Sequence, residues 1–206
     1  MKSTARTYMW WPYLSKQIEE AVKKCTPCTV NRRNAIRAPI MEAESSGVWN
    51  KIAVDICGPS DVLDGNTLFT VMDYKSHFPF AFVINRADSR AVIQCLVQLF
   101  SIFGLPKSIV SDNGRQFVSN EFEAFLRFNG IQHLKSANYF PASNGRVERL
   151  HATVKTRIQR IRHGSPEVSF ATALHRTLYD IRSTVCESTG VTPFQEIGRA
   201  SCRERV

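Results

Sequence analysis

Between Trp49 and Ile84 three apolar runs follow one another with turn signals but no helical stripe between them, and beyond Ser89 strands alternate with helices. In the first run Ile52, Val54 and Ile56 alternate with Lys51, Ala53 and Asp55, the period of a half-buried strand. Asp64-Gly65-Asn66 is a turn, so Thr67–Asp73 and Pro79–Ile84 follow as the second and third strands of an antiparallel meander, linked through Lys75-Ser76-His77. Ser89–Phe103 carries Val92, Leu96, Leu99 and Phe103 on one helical face and stops at Gly104-Leu105-Pro106. Ser108–Ser111 predicts a short buried strand, Asn120–Phe128 a helix ended by Gly130, Ile131–Leu134 a fifth strand, and about Ser143–Arg162 a long helix. Such an order makes an α/β domain, a five-stranded mixed sheet flanked by helices.

Ahead of this domain Leu14, Ile18, Val22 and Cys25 recur at steps of four, four and three, the stripe of a short amphipathic helix with Pro12 near its start. Cys25-Thr-Pro-Cys28 follows, and a two-residue gap between cysteines suits half of a tetrahedral zinc site. The first histidine is His77, so the other half is missing. Trp10, Trp11 and Tyr13 are expected to pack. The chain divides into a small helical module at 1–35, a polar linker at 36–48, the main domain at 49–195 and a tail at 196–206. The tail, Glu196–Val206, reads like a translated sequencing adapter joined to a shortened reading frame and is expected to add nothing to the fold.

Lys plus Arg is 27 against 18 for Asp plus Glu, and the net charge of +9 draws polyanions before any specific contact forms. Nucleic acid therefore leads the expected partners. No apolar run reaches membrane-spanning length and residues 1–8 hold no secretory leader, so no membrane partner is expected and the location is expected to be intracellular. Six cysteines with a single close pair make no disulfide framework, and Cys57 and Cys95 lie in apolar runs that read as reduced core.

Phosphoryl transfer needs little covalent help from a protein, but it needs divalent ions to align the attacking and leaving oxygens and to offset charge. Mg²⁺ is hard and keeps several waters, so a pair of ions asks for only a few carboxylate oxygens on rigid elements. Asp55 near the end of the first strand, Asp112 after the fourth and Glu148 one turn into the long helix stand at such places. Asp73 is assigned instead to a strand-end turn.

Here the chain resembles the integrases of retroviruses and long-terminal-repeat retrotransposons, gypsy-class elements most closely, over about Tyr8 to Pro193. The resemblance rests on Val54-Asp55-Ile56-Cys57-Gly58-Pro59, on Ser111-Asp112-Asn113-Gly114, on Asn144-Gly145-Arg146-Val147-Glu148-Arg149, and on the thirty-five residues between Asp112 and Glu148. Thr192-Pro193-Phe194 resembles the family's exit from the core. The resemblance implies a ribonuclease-H-like layout with Asp55, Asp112 and Glu148 as catalytic residues binding two Mg²⁺ or Mn²⁺ ions, and a reaction that trims and joins DNA 3′ ends. It also implies that residues 1–35 are a truncated zinc-binding module with Cys25 and Cys28 as two of its ligands. Zn²⁺ is then expected only if histidines ahead of Met1, in a longer polyprotein, complete the set.

Positions 148, 152, 155, 159 and 162 share one helical face, so Lys155 projects beside Glu148, where a cation can grip a DNA phosphate, and Arg162 lies farther along. The resemblance implies that role for a basic residue at Lys155. Arg146 and Arg149 flank Glu148 as candidate contacts to donor or target backbone, and Asn113 and Asn144 stand beside the carboxylates at glycine-containing turns. His151 is expected on the surface or in packing. In the loop Asn138–Ser143, Phe140 stands where relatives frequently carry histidine. Retroelement ends, target DNA and further copies of the chain are the implied partners, with the nucleus as the place of function. A non-catalytic DNA-binding relic or domesticated module is the alternative; a ribonuclease-H-type nuclease acting on hybrids is disfavoured by the thirty-five-residue interval and the cysteine pair.

Overall fold

A computed structural model describes residues 2–25, 47–135 and 145–203; Cys28, the span 36–46 of the linker, the loop 138–143 and Asn144 lie outside the described residues. Helices α1 (Lys2–Tyr8) and α2 (Leu14–Lys24) come first. The main domain runs β1 (Lys51–Cys57), a 3₁₀ turn (Asp61–Leu63), β2 (Thr67–Asp73), β3 (Pro79–Ile84), α3 (Ser89–Phe103), β4 (Ser108–Ser111), α4 (Asn120–Phe128), β5 (Gln132–Lys135), α5 (Gly145–Gly164), α6 (Phe170–Ser183) and α7 (Pro193–Arg203). Asp88, Ser119 and Ser169 cap α3, α4 and α6, each side chain accepting from a backbone N–H in the first turn. Among the described residues no helix is long and apolar enough to cross a membrane.

The five strands form one sheet in the order β3-β2-β1-β4-β5, antiparallel from β3 to β1 and parallel from β1 to β5. That is the mixed ribonuclease-H-like sheet expected from the strand order. Because side chains alternate, each strand feeds two cores. Ile52, Val54, Phe69, Val71, Phe80 and Ile109 pack with Val92, Leu96 and Leu99 of α3 and Phe122 and Leu126 of α4. On the other face Ala53, Cys57, Leu68, Met72 and Val110 meet Val147, Leu150, Val154 and Ile158 of α5 and Ala173, Leu174 and Leu178 of α6. Each fully buried large side chain contributes about 1.5–3 kcal/mol, and the central strands, apolar on both faces, hold half of the largest of them.

Asp73, fully buried at the end of β2, ties the entry of β1 to the β2–β3 turn. One oxygen accepts the Trp49 N–H at 2.9 Å, and the other accepts the Ser76 N–H and hydroxyl, both at 2.7 Å. Trp49 sits at φ 63, a conformation disfavoured for a bulky residue, and its indole N–H donates to the Gly104 carbonyl at 2.8 Å. Where β1 ends, Gly58 takes φ +103, and a Cβ there would lie 2.6 Å from the Asn66 carbonyl oxygen, so only glycine lets the chain turn so close to Asp55.

Two expectations are corrected. The tail does join the fold: Glu196 continues a helix begun at Pro193, and Ile197 packs against the α3-side core, because the segment prolongs a helix already anchored by the edge-on contact of Phe194 with Phe78 at 5.4 Å. Trp10 and Tyr13 do not pack; they are 80% and 77% exposed, since of this stretch only Leu14 is buried. The Trp11 indole donates instead to Gln17 Oε1 at 2.7 Å.

Asp73→Ala is expected to destabilise the protein by on the order of 3 kcal/mol, because the Trp49 and Ser76 N–H groups lose their acceptor in a buried place. Urea unfolding measures this. A loss below about 1 kcal/mol would show that water or a neighbour takes over both bonds.

Candidate active site

Parallel pairing sets Ile52 beside Ile109 and Ala53 beside Val110, so two residues farther on Asp55 and Asp112 leave neighbouring strands at the same end of the sheet. Both share the parity of Ala53 and Val110, whose side chains pack against α5. Glu148 is exposed in the first turn of that helix. Strand register and helix packing therefore bring together three acids that lie far apart in sequence.

Asp55 is largely enclosed, its side chain 14% exposed. Its Oδ1 accepts the Ile56 N–H at 2.8 Å. Burial pushes its pKa to about 6, and the negative charges of Asp112 and Glu148 push the same way, while the Ile56 N–H opposes them. Asp112 Oδ1 accepts the Gly114 N–H at 2.9 Å, and a Cβ on Gly114 would stand 3.0 Å from that oxygen. The glycine thus lets the backbone fold against the carboxylate.

Among the described residues no three acidic, histidine or cysteine side chains are drawn close enough to enclose an ion. Asp112 and Glu148 are near enough for their charges to act on Asp55. As a donor set the three carboxylates fit hard divalent ions: oxygen only, with Asp55 and Asp112 anchored by backbone amides. Cys25 is half-buried, and its expected partner Cys28 lies outside the described residues.

Sequence reasoning missed two residues. His151, one turn after Glu148, takes the packing place of the two expected for it, but against the site: its Nε2 is 2.6 Å from the Thr70 hydroxyl and its Nδ1 3.7 Å from Asp55 Oδ2. Burial, then the charge of Lys155, hold its pKa near 4, so the ring is neutral at pH 7 and the approach to Asp55 is no ion pair. Thr70, fully buried, pairs with Asp55 across β1 and β2 and reaches the Asp55 carbonyl at 3.1 Å. A hydroxyl in an otherwise apolar strand and a histidine at i+3 from Glu148 were the available signals.

The expected DNA contacts divide. Lys155 is half-buried on the same flank of α5 as His151, whose ring feels its charge. Asn113 is exposed beside Asp112, and Arg149 is exposed with its Nε donating to the Gly145 carbonyl at 2.9 Å. Arg146 instead turns to the β2–β3 turn, donating to the Tyr74 carbonyl at 2.7 Å with its guanidinium 5.0 Å from the Tyr74 ring. Arg162 pairs with Asp64 at the 3₁₀ turn.

Residues 50–141 match the Integrase core domain family. An uncharacterized protein of Caenorhabditis elegans is 34% identical over 163 residues, 79% of this chain and 13% of its own length. The Pro-Pol polyprotein of simian foamy virus type 3 is 29% identical over 160 residues, 76% of this chain and 14% of its own. This chain therefore spans about one seventh of the curated relatives it matches. Among solved structures, the HTLV-2 integrase catalytic core domain in complex with magnesium (trimeric form) superposes with a TM-score of 0.63 at 21% identity, covering 74% of this chain and 99% of that one. With the mixed sheet and its order of elements, these matches place the chain in the family of retroviral and long-terminal-repeat retrotransposon integrase catalytic cores.

Proposed function

We propose that the chain is the core of a polynucleotidyl transferase of a retrotransposon, which processes DNA 3′ ends and joins them to target DNA using two Mg²⁺ or Mn²⁺ ions, and that it forms part of a longer polyprotein. The observation that carries the proposal is the delivery of Asp55 and Asp112 to one end of adjacent parallel strands, under a helix whose Glu148 charge Asp55 feels. The magnesium named with the HTLV-2 core and its trimeric form support a divalent cofactor and an oligomer here.

In this mechanism Asp55, Asp112 and Glu148 would hold the ions, which when bound would supply charge compensation at the phosphoryl group and activation of the attacking hydroxyl. Asp55 must give up its proton to serve as a ligand. Lys155 contributes a phosphate contact along α5, and Asn113 and Arg149 contribute polar groups at the rim. His151, neutral, fills the space between α5 and β2 and keeps water from the inner side of Asp55. Arg146 and Arg162 act chiefly by fixing α5 to the β2–β3 turn and to the 3₁₀ turn. Residues 1–35, with Cys25 and Cys28, remain proposed as the zinc-binding module when the missing ligands are supplied.

A branched-DNA disintegration assay tests the proposal. With Mg²⁺ present, Asp112→Asn is expected to lower turnover roughly 10²-fold or more while salt-dependent DNA binding persists. Salt-dependent binding without turnover in either protein supports the relic reading instead.

Proton competition gives a second test. An unfolded Asp titrates near 4 and Asp55 near 6, so its contribution to metal-free stability is present on the acid side and is lost as pH rises through about 4–6. His151 runs the other way, since a ring neutral in the fold down to about 4 loses its contribution as pH falls below about 6.5. The two nearly cancel in raw stability, and the difference between Mg²⁺ and chelator isolates Asp55. The rise in unfolding temperature with Mg²⁺ is expected to be small at pH 5 and to plateau above about pH 6.5. A rise independent of pH would remove Asp55 from the ligand set.

A further inference from the structure

His151 lies over the cross-strand pair Asp55 and Thr70, on the flank of α5 that also bears Glu148. Asp55 is bracketed. Its Oδ1 accepts the Ile56 N–H at 2.8 Å, and its Oδ2 faces His151 Nδ1 at 3.7 Å, outside hydrogen-bond range but within contact. On the far side of the ring, Nε2 meets the Thr70 hydroxyl at 2.6 Å. We infer that His151, clamped by Thr70, is a positioning residue that fixes the Asp55 carboxylate for a divalent cation, an inference that rests on Asp55 being a metal ligand.

A neutral imidazole carries a single N–H, so the partner of one nitrogen decides what the other presents. The Thr70 hydroxyl has one proton and two acceptors in reach, Nε2 at 2.6 Å and the Asp55 carbonyl at 3.1 Å. Given to Nε2, the nearer, it leaves the ring proton on Nδ1, pointing at Asp55 Oδ2. An ionised carboxylate is the acceptor that proton needs. Each Asp55 oxygen then keeps a lone pair for a cation, with the Ile56 N–H bonded to one oxygen and the imidazole packed against the other.

The packing makes this a rigid support. Thr70 is fully buried, and the side chains of His151 and Asp55 are 13% and 14% exposed, so neither can swing away without opening the interface of α5 with the sheet. Groups that orient a metal's ligands in this way typically cost 10–100-fold in affinity when removed.

The test is a Mg²⁺ titration of the full 206-residue chain, followed as the rise in unfolding temperature, for the wild type, Thr70→Val, Thr70→Ser, His151→Phe and Asp55→Asn. Thr70→Val and His151→Phe are expected to need about 10–100-fold more Mg²⁺ for half of the full response, with Thr70→Ser close to wild type. Valine keeps the shape and loses the hydroxyl, whereas serine does the reverse, so a packing role would reverse the order of the two Thr70 variants and overturn the inference. Wild-type titrations in Thr70→Val and His151→Phe, beside a lost response in Asp55→Asn, also overturn it and leave the assignment of Asp55 standing. An undiminished response in Asp55→Asn overturns both.

Discussion

Parallel alignment of β1 with β4, Ala53 beside Val110, sends both strands toward one edge of the sheet and so commits Asp55 and Asp112 to a common site. Parallel neighbours cannot be joined by a tight turn. The connection must cross over a face of the sheet, and α3, packed on Ile52, Val54 and Ile109, lies in that crossover. With α3 and α4 covering that face, the opposite one is left to α5 and α6, and the acids, sharing parity with Ala53 and Val110, emerge under α5. Glu148 completes the group only because Val147, Leu150, Val154 and Ile158 seat the helix there.

Placing an acid between sheet and helix carries an electrostatic cost that the fold offsets only in part. Asp73 accepts hydrogen bonds from Trp49 and Ser76 on both oxygens, which oppose the upward push of burial on its pKa without cancelling it, and its role is to brace the turn. Asp55 has one backbone donor, and burial first, then the charges of Asp112 and Glu148, raise its pKa to about 6. Both are buried aspartates in one domain, yet one is saturated and the other is held unsatisfied. That difference, more than burial itself, separates a structural carboxylate from one available to a cation.

The acids were legible because their evidence is local and additive: short runs around each one, and a fixed interval between two of them. Strand boundaries fell within a residue or two, since apolar alternation reports which side chains face a core. Thr70, His151 and the Asp64–Arg162 pair were not legible. Their partners lie 81 and 98 residues away for His151 and Arg162, and nothing in either segment announces the other. The tail helix was missed for a related reason. A segment lacking its own apolar stripe can still be helical when it extends a turn seated by Phe194. Trp10 and Tyr13 misled in the opposite sense, because aromatic clustering speaks for a core only where a second surface exists to meet it.

Charge shows the same distinction between composition and placement. A surplus of +9 suggests a surface broadly attractive to nucleic acid, yet Arg146 and Arg162 spend donors on Tyr74 and Asp64, and Arg182 lies over the rings of Phe78 and Phe80 with two bonds to the Pro79 carbonyl. These cations hold helices to the sheet. Lys155 differs, because it stands on the α5 flank that bears His151 and Glu148. Burial first, and then the charge of Lys155, hold the His151 ring neutral beside Asp55. Position on α5 therefore gives Lys155 an influence on the ring beside Asp55 that net charge does not convey.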